Sequence, residues 1–331
     1  MNTSRLFVFP ALFVACMLCF APVAAAASKP GWPMHVRLLT GPAGGQWFVL
    51  GESMAKLLSK DVLLTTSRMG GGIANIDAIG KKSADVAFTL TCFMGAGQSG
   101  VEEYKAISTK NTAILAQVYP QVLYFLLHKE FAEKHGITDV GSLLAKKIPL
   151  RFASLKPGTA SEFIVSMLFK HGYNTNFDKL RAQGWQIFFN NYAETADNFV
   201  AGNLDCFGYT AGTTVPLIKT MEALTDVIVL PVEQKVLDLL AGKFKTSTYV
   251  IQPGTYKGVT TPVATLGDYT SLVVRQDLPN DLVFEITRSL WQHRGQIASV
   301  ISDFAALSPT SAIPAGIPAH PGAAAFWRQA K

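Results

Sequence analysis

The feature that most constrains the fold is a recurring pattern: a short apolar run, a glycine-rich turn, then an amphipathic stretch at helical spacing. Its first instance is Arg37 to Lys60, RLLTGPAGGQWFVLGESMAKLLSK. Val36 to Thr40 reads as a strand, with Gly41, Gly44 and Gly45 as the turn. Leu50, Met54, Leu57 and Leu58 then form one apolar helix face. Such a turn faces the free N–H groups of a helix N-terminus, which hold an anion such as a carboxylate or phosphate. A tight turn without a ligand is the plain alternative. Two nucleotide motifs are excluded: no Lys-Ser/Thr follows the glycines, and their spacing is not G-x-G-x-x-G.

The pattern repeats. Val62 to Ser67 reads as a strand, Gly70 to Gly72 as a turn, Ile73 to Gly80 as a helix and Val86 to Thr91 as a buried strand. Gly95 to Lys110 is read as a loop with weak helical character. Ala113 to Tyr119 and Gln121 to His128 are two extended runs joined at Pro120, which suggests a chain crossing between lobes. The second half starts with a short helix, Ile137 to Leu144. A strand (Leu150 to Ser154), the turn LKPGTAS and a helix (about Glu162 to His171) follow, with Thr159 and Ser161 as N-cap hydroxyls. Further strands are expected at Trp185 to Phe189, Leu204 to Tyr209 and Val227 to Leu230, and helices at Tyr192 to Ala201 and Ile218 to Leu224. From Tyr249 extended runs return to the first sheet; one helix spans Asn280 to Val300, and a short helix ends the Pro/Ala-rich tail. The expected fold is α/β and two-lobed. Each lobe is a mostly parallel sheet flanked by helices, and the ligand cleft lies between the lobes, outside the carboxyl ends of the strands.

The N-terminus reads as a secretory leader. Arg5 precedes an apolar run, and small residues, Ala24 to Ala27, follow it. Residues 1–27 are therefore expected to be cleaved, leaving an exported, periplasmic protein. A retained membrane anchor and, at Cys16 or Cys19, a lipid anchor are the alternatives. The net charge, +6 for the whole chain, drops only by the leader's single Arg. The positive residues are scattered, which argues against nucleic acid as a partner. Cys92 and Cys206 remain after the leader. A bridge and two buried thiols both fit; a bridge at the crevice edge would pin the lobes, which favours free thiols. No metal or other cofactor is expected.

Several stretches resemble the TAXI group of solute-binding proteins, the extracytoplasmic receptors associated with TRAP transporters. They are TGPAGGQWFVLGESMAKLL, SRMGGGIANIDAIGKKSADVAFT, VYPQVLYFLLHK, LDCFGYTAGTTVP, YKGVTTPVATLG, LPNDLVFEITRSLW and GIPAHPGA, in order from about residue 36 to the end. The resemblance implies a type II periplasmic-binding-protein fold. It also implies capture of a small anionic solute, such as glutamate, glutamine or a dicarboxylate, and delivery to a TRAP-type membrane permease. The lobes are expected at 33–123 with 247–331, and at 124–246, in a monomer. The sequence departs from the group where the crevice is expected. Gln46 and Trp47 replace the usual Thr-Tyr, Pro157 to Ser161 read PGTAS for P-G-S-G-T, and Cys206 stands for Ala.

Candidate ligand residues follow from strand ends and turns: Gly44, Gly45, Gln46, Trp47, Thr89, Cys92, Tyr119, Gly158, Thr159, Ala160, Ser161, Tyr209, Thr210 and Gly212. Trp47 either walls the ligand or packs; Tyr119 either donates to a carboxylate or packs a hinge. Arg37 and Arg151, at strand starts, are placed far from the crevice, and Arg68 reads as a solvated turn residue. The six histidines sit in no nucleophile or metal motif, and there is no G-x-S-x-G or H-E-x-x-H, so no enzyme is expected. A hydrolase using Cys92 is the outside alternative. A sensing module of the same fold, feeding a membrane signalling protein, is the alternative within the receptor class.

Overall fold

The computed structural model describes residues 29–99 and 109–330. The leader, and most of the segment read as a loop between Gly95 and Lys110, lie outside the described residues. Strand β1 (Val36–Leu39) leads to helix α1 (Gln46–Asp61), β2 (Thr65–Arg68) to α2 (Gly72–Gly80), and β3 (Val86–Leu90) directly to α3 (Thr91–Ser99). The long β4 (Thr112–His128) is followed by α4 (Lys129–His135) and α5 (Val140–Ala145). The second set is β5 (Arg151–Leu155), α6 (Ala160–Met167), α7 (Phe177–Ala182), β6 (Gln186–Asn190), α8 (Tyr192–Val200) and β7 (Cys206–Ala211). Then come α9 (Pro216–Glu222), β8 (Val227–Val229), α10 (Gln234–Phe244), β9 (Ser247–Ile251) and β10 (Val263–Arg275). The chain closes with α11 (Asn280–Gln292), α12 (Arg294–Val300), a 3-10 turn (Ser302–Ala306) and α13 (Pro321–Gln329).

The ten strands of the described residues join one mixed sheet, ordered β2-β1-β3-β10-β4-β7-β5-β6, with β8 on β4 and β9 on β10. Each end of the sheet is a parallel trio: β1 between β2 and β3, and β5 between β6 and β7. The antiparallel pair β10 and β4 lies between the trios. The trios repeat one topology and one ion pair. Arg37 of β1 gives its backbone N–H and guanidinium to Asp85, ahead of β3. Arg151 of β5 does the same to Asp205, ahead of β7. Burial alone would raise the Asp85 carboxyl, but the bonds from Arg37 outweigh it and hold the group below the ordinary carboxylate range. Both arginines are thus spoken for at the strand ends away from the glycine turns.

β4 shows why so apolar a strand belongs here. Leu123, Phe125 and Leu127 enter one core with Leu50, Met54, Phe88 and Phe152. Their alternates Val122, Tyr124 and Leu126 enter a second core with Phe199, Phe207 and Ile218. A strand covered on both faces needs no polar alternation. In the first core Leu50, Met54 and Leu58 of α1 are fully buried, worth roughly 1.5–3 kcal/mol each.

Four expectations need correction. Pro120 does not end a strand: β4 runs through it as a single element. Pro120 pairs with Tyr269 of β10, the register slips right beside it, and pairing with β7 begins only at Val122, an irregular stretch of ladder of the kind where proline occurs in strands. The strand expected to reach Thr91 stops at Leu90, and Thr91 starts α3, capped by the Asp268 carboxylate through the Cys92 N–H. The single helix over Asn280 to Val300 breaks at His293, whose ring is tied to Asp61 at the end of α1. Finally α4, α7 and α10 were not anticipated. Two are short and polar, but α10 carries Val236, Leu237, Leu240 and Phe244 at helical spacing, a signal that was there to be read.

Candidate ligand-binding site

A cavity of about 370 Å³ lies where the two trios meet. The first trio supplies the turn from Gly41 to Trp47 and the glycines Gly71 and Gly72. The second supplies Leu155, Thr159 to Ser161, Tyr192, Thr210 and Ala211. Gln121 enters from β4, and Val215, Pro216 and Leu217 from the start of α9.

The turns are built tightly. Gly44 has φ +84°, which favours glycine. No side chain caps α1; Phe48 and Val49 donate to the Gly45 carbonyl. Helix geometry then leaves the N–H groups of Gln46 and Trp47 over at the cavity wall. The second turn is braced by Asn75, which is fully buried. Its Oδ1 accepts from Gly71 N at 3.0 Å, and its Nδ2 donates to the carbonyls of Thr40 and Phe88 at 2.8 and 2.7 Å. At α6, Thr159 caps by accepting from Glu162 N at 3.3 Å. The Glu162 carboxylate turns back to Gly158 N at 3.4 Å, and burial raises its pKa.

The trios touch directly across this space. A Cβ added to Gly71 would stand 2.7 Å from the Gly158 carbonyl oxygen, and one on Gly72 3.0 Å from Ala160 Cβ. Gln46 forms a polar bridge: its Oε1 accepts from Gly212 N at 2.7 Å, and its Nε2 donates to Asp303 Oδ2 at 3.0 Å. The other Asp303 oxygen accepts from the backbone and hydroxyl of Thr213. The glycine turns of the two trios are thus in contact across this space.

The sequence profile of the NMT1-like family matches residues 38–330. The chain belongs to that family. Two solved structures have a similar fold. MatC from Rhodopseudomonas palustris with bound malate aligns at TM-score 0.52 and 15% identity, covering 90% of this chain and 97% of that one. A periplasmic transporter aligns at 0.50 and 11%, covering 91% and 93%. The α/β periplasmic-binding-protein fold expected from the sequence is the fold of this NMT1-like chain.

Of the residues singled out from sequence, the NMT1-like fold brings Gly44, Gly45, Gln46, Trp47, Thr159, Ala160, Ser161 and Thr210 to the cavity wall. Trp47 does two jobs: its ring stacks on Phe88 (5.8 Å, 19°), its Nε1 donates to Thr270 Oγ1 at 2.9 Å, and it still lines the space. The other candidates lie off the wall. Thr89 is fully buried and donates to the Gly72 carbonyl at 3.0 Å, anchoring the turn from behind. Cys92 is buried in α3 beside Asp268. Tyr119 and Tyr209 are buried in the sheet, and neither hydroxyl has a hydrogen-bond partner among the described residues. Gly158 meets Gly71 from outside the wall, and the Gly212 N–H is taken by Gln46. Cys92 and Cys206 are both free and buried. Arg68 is exposed and off the wall.

Sequence reasoning passed over Gln121, Tyr192 and the run Val215 to Leu217. Tyr192 was the findable one, an aromatic directly after a strand, at the first position of a helix. Its ring presses on the first turn, where a Cβ on Gly45 would lie 2.9 Å from Tyr192 Cε2. Val215 and Leu217 reach the wall only because α9 folds back over the crevice, which no local pattern announces.

Proposed function

We propose that this protein is an extracytoplasmic receptor that captures a small organic anion between two lobes and delivers it to a TRAP-type membrane permease, without catalysing a reaction. The lobes are residues 33–123 with 247–331, and residues 124–246. One observation carries the reading: the cavity is walled jointly by turns and helix N-termini of both parallel trios, so a ligand there touches both sides at once. That is the geometry of a clamshell, in which a solute stabilises the closed form by differential contact. The TAXI-like motifs and the export leader support the transport role and the periplasmic location. Among the described residues no helix is long and apolar enough to cross a membrane, which fits a receptor acting beside a separate permease.

Calorimetry on the protein purified after export, titrated with amino acids, monocarboxylates and dicarboxylates, tests the reading. Saturable binding of at least one organic anion is the expected result; flat titrations throughout would overturn it.

A further inference from the structure

The wall of the cavity is unusual for an anion receptor in what its side chains offer. Among the described residues it includes no Arg, Lys, His, Asp or Glu. Most of its polar side chains are already engaged within the protein. Gln46 bonds Gly212 and Asp303, and Gln121 Nε2 donates to Thr270 at 2.7 Å. Ser161 is shared with Thr210, and Tyr192 donates to the Thr210 carbonyl at 3.3 Å. What remains is backbone N–H at the starts of α1, α2 and α6, and an apolar surface of Trp47, Leu155, Val215, Pro216, Leu217 and Ile301.

Each chemical part of a solute can be set against that inventory. One carboxylate is matched by uncapped N–H groups and the positive ends of helix dipoles. A second carboxylate finds no cation, and the nearest described charge behind Gln46 is Asp303, which carries the same sign and is already saturated. An α-ammonium finds no carboxylate on the wall to pair with. Burying either charge unpaired opposes binding. An alkyl or aryl body, in contrast, removes apolar surface from water on both partners.

We infer that the solute is a monocarboxylate with an apolar body, and that neither an amino acid nor a dicarboxylate is the preferred ligand. This rests on the receptor reading above and narrows it.

The test is calorimetry on the exported protein with four probes of related size: octanoate, suberate, octanamide and glutamate. Octanoate is expected to bind at least tenfold more tightly than each of the other three. Shortening it should weaken binding by about three- to fourfold per methylene. Suberate or glutamate binding as tightly as octanoate overturns the inference and leaves the receptor reading standing. Octanamide matching octanoate also overturns it, because the anionic head would then be idle. Flat titrations with all four overturn the inference, and the receptor reading falls with it only if the wider panel of organic anions is flat as well. A second arm uses Leu217→Arg, at a half-buried wall position that packs against the second core, with the melting temperature recorded to show that the variant is folded. The variant should shift the octanoate-to-suberate ratio toward suberate by at least tenfold, and an unchanged ratio overturns the apolar-wall assignment.

Discussion

Gly212 N donates to Gln46 Oε1 at 2.7 Å, and this single bond ties the end of β7 to the start of α1. The same Gln46 amide donates to Asp303, so a neutral side chain is required between a donor and a carboxylate. Gln46→Glu would set a second negative charge against Asp303. The closed form should lose about 1.4 kcal/mol or more, and octanoate affinity about tenfold. Small-angle scattering of the ligand-free variant should report a larger radius of gyration; an unchanged profile with unchanged affinity would refute the role given to this bond.

Gly71 offers a cleaner separation of folding from closure. Its backbone is extended, with φ −159°, so other residues are tolerated there. A Cβ would nevertheless meet the Gly158 carbonyl oxygen at 2.7 Å. Gly71→Val is expected to keep nearly the wild-type melting temperature without ligand and to lose most of the ligand-induced rise. A variant that is stabilised by ligand as much as wild type would show that the turns need not touch.

Asn75 joins three backbone segments through buried bonds. Removing them in Asn75→Ala strands Gly71 N and two carbonyls, for a loss of about 3 kcal/mol. Urea unfolding measures this directly. A change below about 0.5 kcal/mol would mean that water replaces the amide without cost.

Asp268 predicts a pH signature. Burial pushes its carboxyl up to about 6, although Cys92 donates to it. A carboxyl raised on folding favours the folded state most when it is protonated. Its contribution is therefore complete below about 4, falls as pH rises through about 6, and totals about 3 kcal/mol. Asp268→Asn should remove that dependence. The difference in urea stability between wild type and variant, measured at pH 4.5 and pH 7, cancels other titrating groups such as the buried His320; a difference that does not move with pH would refute the assignment.

Cys92 and Cys206 are free, and burial raises both thiols well above their ordinary range. Neither should react with a thiol reagent in the native exported protein, and both should react after unfolding without reductant. Zero reactive thiols in that unfolded sample would mean that a bridge had formed.

The strand-turn-helix units were legible because each is a local event. Spacing of Leu50, Met54 and Leu58 marks the helix, and the glycines mark the turn, so Gly44 to Trp47 and Thr159 to Ser161 were found at the cavity. Position along a strand was less informative. Thr89 lies near the end of β3, as expected, whereas Tyr119 lies mid-strand because β4 runs on through Pro120; in both a period of two sends the side chain into the protein, and which face is buried depends on the other strands. His320 caps α13: its Nδ1 accepts from Gly322 N at 3.2 Å. Such caps are visible in sequence because donor and acceptor are two residues apart. Val215, Leu217 and Ile301 are not, because their neighbours at the cavity lie far away in the chain.

The two strands at the centre of the sheet bear on how such a molecule moves. β4 and β10 have 17 and 13 residues and pair along most of that length, passing from one trio to the other without a loop. A joint of this kind is a ribbon spring. The receptor reading requires the halves to open, and opening would twist a hydrogen-bonded ladder. The register of that ribbon slips twice, at Thr270/Ser271 next to Pro120 and at Leu272/Val273 opposite Ala116 and Ile114, and a bulge is where such a ladder is locally disrupted. The angle between the halves would then follow strand register, and because Thr270 Oγ1 accepts from Trp47 Nε1 and Gln121 Nε2, a bulge moved at Thr270/Ser271 would reach the cavity wall through those two bonds.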